Sequence, residues 1–172
     1  MPAARKKVVI RQFDAGPSWG YLPPAGFVEG DAVVLLLPDG RTKPLQLNTI
    51  KLIAYVRDFN LDDANDPERL GRKTFLGRPR GEGLWLRIGF PDDDQLEGLT
   101  SFDLGFLDML LEDRGLLLSP PDGRGNTQKI FVPRSAIRSL ELLGAISSPS
   151  KRVSAERAKE LVEELQAGLF EG

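Results

Sequence analysis

Five cations crowd into residues 69–80 of this chain: Arg69, Arg72, Lys73, Arg78 and Arg80, with Phe75 among them. Guanidinium and ammonium groups neutralise phosphates, and an aromatic ring beside them can stack on a base, so this composition suits a nucleic-acid or anion site. Asp62, Asp63, Asp66 and Glu68 precede the run and neutralise part of it. A solvated connector, or ion pairs between structural units, is therefore the first reading and a nucleic-acid patch the second. Arg134 and Arg138 add positive charge further along, which makes Arg72, Lys73, Arg78, Arg80, Arg134 and Arg138 the candidate binding residues. A second constellation, Asp92-Asp93-Asp94, offers carboxylate oxygens to a hard cation. Three adjacent turn residues cannot all aim at one ion, so a solvated hairpin turn is the preferred reading and no metal site is expected.

The missing residue types exclude more chemistry than these clusters suggest. The chain has no cysteine, hence no disulfide, thiolate nucleophile or zinc–thiolate site. It has no histidine, which removes the usual general base near neutral pH and both Ser-His-Asp and Cys-His catalysis. The remaining Asp, Lys and Ser residues form no recognisable catalytic pair, so we expect a non-catalytic protein without a cofactor.

With 172 residues, 41% hydrophobic and 28% charged, the chain can bury a core without disulfides or metals. The net charge of −2 gives no overall field to attract nucleic acid. The basic start, Arg5-Lys6-Lys7, is not followed by the apolar stretch of a signal peptide, and the longest apolar run, residues 32–37, is too short for a bilayer. A cytoplasmic protein without a membrane partner is the expectation.

The elements that must position these groups occur twice. Val8-Val9-Ile10-Arg11 returns as Leu84-Trp85-Leu86-Arg87-Ile88. Trp19-Gly20-Tyr21 returns as Glu97-Gly98-Leu99, a glycine inside a strand pattern. Leu35-Leu36-Leu37-Pro38-Asp39-Gly40-Arg41 returns as Leu116-Leu117-Leu118-Ser119-Pro120-Pro121-Asp122-Gly123-Arg124, and Ile50-Lys51 as Ile137-Arg138. Four landmarks in the same order argue for internal duplication. The Asp-Gly-Arg triplets lie between strands and read as turns. A sharp bend is expected near Asn48-Thr49, and Trp19 and Trp85, each within a strand, are expected to pack in a core or an interface. After Ser147-Ser148-Pro149-Ser150, a helix capped by Ser154 places Ala158, Leu161, Val162, Leu165 and Leu169 on one side. It is expected to pack on its own unit; docking onto a protein partner is the alternative.

The second copy resembles the Sm/LSm family, and within it the Hfq-like branch, through Leu96-Glu97-Gly98-Leu99-Thr100-Ser101-Phe102-Asp103 and the later Ala136-Ile137-Arg138-Ser139-Leu140. The resemblance covers residues 84–144, and the first copy inherits it by its likeness to the second. It implies a mainly β protein: two tandem Sm-like small barrels of strongly bent antiparallel strands at residues 5–59 and 84–144, a basic linker at 60–83, and a linker with the C-terminal amphipathic helix at 145–172. It also implies pairing of edge strands between subunits, hence a homo-oligomer. The family's uridine pocket is not reproduced: Pro133-Arg134-Ser135 keeps only a positive charge, and Leu47-Asn48 keeps none. PilZ domains are a weaker comparison, because Arg69-x-x-Arg72 and Arg78-x-Arg80 depart from the Arg-x-x-x-Arg spacing. The function expected is a binding or assembly module, with an RNA-binding protein using an arginine-based site as the alternative.

Overall fold

The computed structural model describes residues 4–59, 73–101, 113–122, 125–147 and 152–170. It is mainly β, with antiparallel sheets and one C-terminal helix. The first copy folds as β1 (Lys6–Gln12), β2 (Ser18–Leu22), the short β3 (Val28–Glu29), β4 (Ala32–Leu36), β5 (Thr42–Gln46) and β6 (Ile50–Val56). The second folds as β7 (Gly83–Gly89), β8 (Gln95–Thr100), β9 (Gly115–Leu118), β10 (Thr127–Pro133) and β11 (Ser139–Ile146). Helix α1 follows at Arg152–Phe170. Apart from β3, which the sequence patterns do not announce, each copy supplies five matching strands.

The match extends to the turns. A 3-10 turn precedes the last strand in both copies, at Leu47–Thr49 and Arg134–Ala136, where the bend near Asn48-Thr49 is expected. Gly40 adopts φ +87°, and the Arg41 backbone N–H and Nε donate to Asp39, so this Asp-Gly-Arg triplet is a tight turn. Its counterpart at Gly123-Arg124 lies outside the described residues. The mid-strand glycines have a steric cause: a Cβ on Gly20 would stand 2.4 Å from the Leu36 carbonyl oxygen, and one on Gly98 2.8 Å from Leu118 Cβ. Only glycine lets the next strand cross so closely.

The pairing runs β11-β7-β8 in one sheet and β3-β4-β2-β1-β6-β10-β9 in the other, with β5 on β4. A two-way backbone bridge between Leu99 and Ser119 links β8 to β9. These are open paths among the described strands; the pairings do not close either copy into a barrel. The decisive joint is between copies: β10 pairs antiparallel with β6, Phe131 opposite Ile53 and Lys129 opposite Tyr55. Because side chains alternate along a strand, β10 serves two cores. Phe131 joins Ile10, Leu35, Ile53 and Phe27 in the first core, while Ile130 and Val132 join Leu86, Ile88 and Leu118 in the second. Phe131 and Phe27 meet edge to face at 4.9 Å.

Helix α1 lays its apolar side on the second copy. Val162 is buried there, with Ala158, Leu161, Leu165 and Leu169 packed around it. Ser154 falls inside the helix rather than at its cap, because Arg152 and Val153 extend the helix toward its start. None of the described helices is long and apolar enough to cross a membrane.

Candidate functional site

The acidic turn between β7 and β8 is where the charged residues gather. Asp93 has φ +66°, a tight-turn conformation in which its carboxylate meets a different cation from the one that Asp92 and Asp94 share. Lys51 Nζ, from β6 of the first copy, donates to Asp92 at 2.6 Å and Asp94 at 2.9 Å. Lys73 Nζ donates to both Asp94 oxygens at 2.8 and 2.9 Å, and Arg138 Nη1 to Asp93 at 2.9 Å. Burial opposes the charge on Lys51, but the hydrogen bonds it donates to Asp92 and Asp94 outweigh it and raise its pKa. Burial likewise opposes the charges on Asp94 and Asp92, and their lysine partners overcome it, holding both carboxyls below the usual carboxylate value. The turn is a network of ion pairs that fastens the first copy to the second.

Two of the six candidate cations, Lys73 and Arg138, thus come together on this turn. Arg72 lies outside the described residues. Arg78 and Arg80 are exposed on the segment before β7, and Arg134 is exposed on the 3-10 turn beside α1. The side chains of these three form no ion pair or hydrogen bond with a described residue. Phe75 is not a free stacking surface, because its ring meets Trp85 edge to face at 6.1 Å. Trp85 is half-buried, as a strand tryptophan is expected to be. Trp19 departs from that expectation: it is 41% exposed on the outer face of β2.

Sequence reasoning missed two buried acids. Glu97, only 5% exposed, accepts from Trp85 Nε1 at 3.1 Å, the Phe75 backbone N–H at 3.1 Å and Arg87 Nη2 at 3.2 Å. Its own N–H donates to the Lys73 carbonyl. This ties the segment entering the second copy along β8, satisfying a buried charge that would otherwise be strongly unfavourable. The readable signal was a lone carboxylate in the apolar strand Leu96-Glu97-Gly98-Leu99. Asp113, 1% exposed, accepts from the Gly26 N–H at 2.9 Å and the Val28 N–H at 3.5 Å, both in the first copy. Next to it, Arg114 donates to Asp31 at 3.0 Å and to the Gly30 carbonyl. Asn126 exchanges hydrogen bonds with the Asp58 backbone. No sequence pattern announces these contacts, which span 68 to 87 residues.

Along the same seam runs an open cleft of about 360 Å³, lined by Lys6, Pro24, Tyr55, Leu117, Gln128 and Lys129. Tyr55 donates its hydroxyl proton to the Pro23 carbonyl at 3.0 Å. Burial and then the charge of Asp113 push its pKa upward, so the phenol stays protonated and is no base. Lys129 donates to Ser119 Oγ at 2.6 Å. Tyr55 and Lys129 act here as hydrogen-bonding fasteners.

The chain belongs to the Family of unknown function (DUF6982), which it matches over residues 4–144. The match takes in both copies and stops short of α1. Neither the curated proteins nor the solved structures include a match.

Proposed function

We propose that this chain is a non-catalytic assembly module, a duplicated Sm-like scaffold that acts through contacts between β edges. The observation that carries the reading is the β6–β10 joint, in which one copy completes the edge of the other inside a single chain. Kinship with Sm-like proteins is supported by five antiparallel strands per copy, the glycines at the strand crossings and edge pairing between units. The charged residues support the same reading. Lys51, Asp92, Asp94, Asp113 and Arg114 link the copies, and Lys73, Glu97 and Arg138 hold the second copy's own segments.

A second reading, RNA binding, is favoured by Arg78, Arg80 and Arg134, whose exposed side chains have no described ion-pair partner, and by the exposed Trp19. Fluorescence anisotropy with labelled oligo(U) and oligo(A) at low salt separates the two. The assembly module gives no saturable binding. Binding that weakens steeply with salt and is lost in the R78A/R80A/R134A triple variant would establish the RNA reading instead.

A further inference from the structure

The two outer edges of this strand array are not equivalent, and the internal joint supplies the measure of each. Aligning Ile50 with Ile137 sets Ile53 and Tyr55 of β6 against Leu140 and Leu142 of β11, and Phe131 and Lys129 of β10 against Pro44 and Thr42 of β5. At the joint, Phe131 faces Ile53 and Lys129 faces Tyr55. The Arg134 N–H bond to the Arg114 carbonyl fixes the alternation along β10, so Phe131 and Lys129 turn their backbone groups toward β6.

The same accounting applies to the free edges. The Phe90 N–H bond to the Asp94 carbonyl directs the backbone groups of Ile88, Leu86 and Leu84 toward β8. Their β11 partners, Leu140, Leu142 and Ala145, therefore point N–H and C=O away from β7, to the outer side of the sheet. No described strand pairs with that side. On β5, the Leu37-to-Arg41 and Leu47-to-Asp31 bonds place Pro44 and Val34 in a non-hydrogen-bonded pair. The Pro44 nitrogen thus faces outward and carries no proton. A head-to-tail joint copying the internal one would put this imide where Phe131 offers an N–H. Edge prolines of this kind block strand addition.

Strand β11 has a β-bulge between Leu142 and Gly144 and packs one face against α1, but nothing in it removes an outward backbone donor as Pro44 does. It contains no proline, lysine or arginine, and its one charge, Glu141, is held by Arg87 at 3.0 Å. Leu142, Leu143, Ala145 and Ile146 are half-exposed along it. An edge strand of this length and apolarity is a template for a further strand. We propose that a second copy of this chain pairs here, β11 antiparallel to β11 about a two-fold axis, extending the sheet across a symmetric dimer. This rests on the assembly reading above and names its partner.

The test uses the full chain, sized by light scattering over a concentration series and followed by amide hydrogen exchange. The proposal gives twice the single-chain mass, with the Leu140, Leu142 and Ala145 amides exchanging more slowly at high concentration than after dilution. Leu143→Lys returns the mass to a single chain with an unchanged circular dichroism spectrum, and Pro44→Thr leaves the dimer as it is. A single-chain mass at every concentration overturns the proposal. So does a dimer in which those three amides exchange as fast as in the dilute protein, or a ring of three or more chains. A monomer that binds no RNA removes this partner while leaving the assembly reading standing; salt-sensitive RNA binding removes that reading whatever the mass.

Discussion

At the scale of single residues, the account turns on charges that hold the fold rather than a ligand. Asp92 and Asp94 titrate below the usual carboxylate value of 3.8 because Lys51 and Lys73 favour their charged forms. Their contribution to stability is therefore complete above that value and lost as pH falls through the lowered folded-state values. Lys51 works at the other end: with its pKa raised, its contribution is complete below 10.5 and lost as pH rises through the higher folded-state value. We expect Asp94→Asn to lower stability at pH 7 by roughly 1 kcal/mol, the size of a partly exposed ion pair, and to lose its difference from the wild type in strong acid. Urea unfolding at the two pH values checks both halves of that statement. Gly20 permits a separate check. Its alanine variant would drive Cβ to 2.4 Å from a backbone carbonyl, and overpacking of this kind costs about 1–3 kcal/mol, read as a shift in the urea midpoint. The glycines were legible as special in the sequence, because a glycine inside an apolar strand pattern signals a close approach. The cations were legible as a cluster but not as partners, since Lys51 and Asp94 are 43 residues apart.

At the scale of elements, β10 carries the greatest consequence. Its alternate side chains feed two cores, so Phe131 is buried in the first copy although its chain position belongs to the second. Phe131→Ala removes the ring that meets Phe27, and we expect a loss of about 3–5 kcal/mol, measured by equilibrium denaturation. Strand-by-strand patterning was enough to find nearly every element, because β-branched runs ended by Pro, Asp and Gly leave few alternatives. The two-residue β3 escaped because so short a strand has no period. The amphipathic stripe of α1 was equally readable, and it packs where its apolar side demands. What no pattern could give was the pairing of β6 with β10. Alternation identifies which face of a strand is buried; it says nothing about which strand lies beside it. The meaning of Pro44 also depended on pairing, since a proline in a strand is harmless or obstructive according to the side its nitrogen faces.

At the scale of the whole molecule, strands from both halves of the chain share one sheet. The β6–β10 joint, the Lys51 and Asp113 contacts and the double service of β10 tie the two cores together: Phe131 completes the first, and Phe13 and Leu52 pack against the second. Of the charged residues that suggested a ligand site, Lys73 and Arg138 hold the second copy's acidic turn, while Arg78, Arg80 and Arg134 stand exposed; the staples across the shared body are Lys51, Asp113 and Arg114. Differential scanning calorimetry of the full chain tests this most directly. The account predicts one unfolding transition whose calorimetric and van't Hoff enthalpies agree, lowered as a whole by Lys51→Ala. Two separable transitions, with Lys51→Ala moving only one of them, would contradict it.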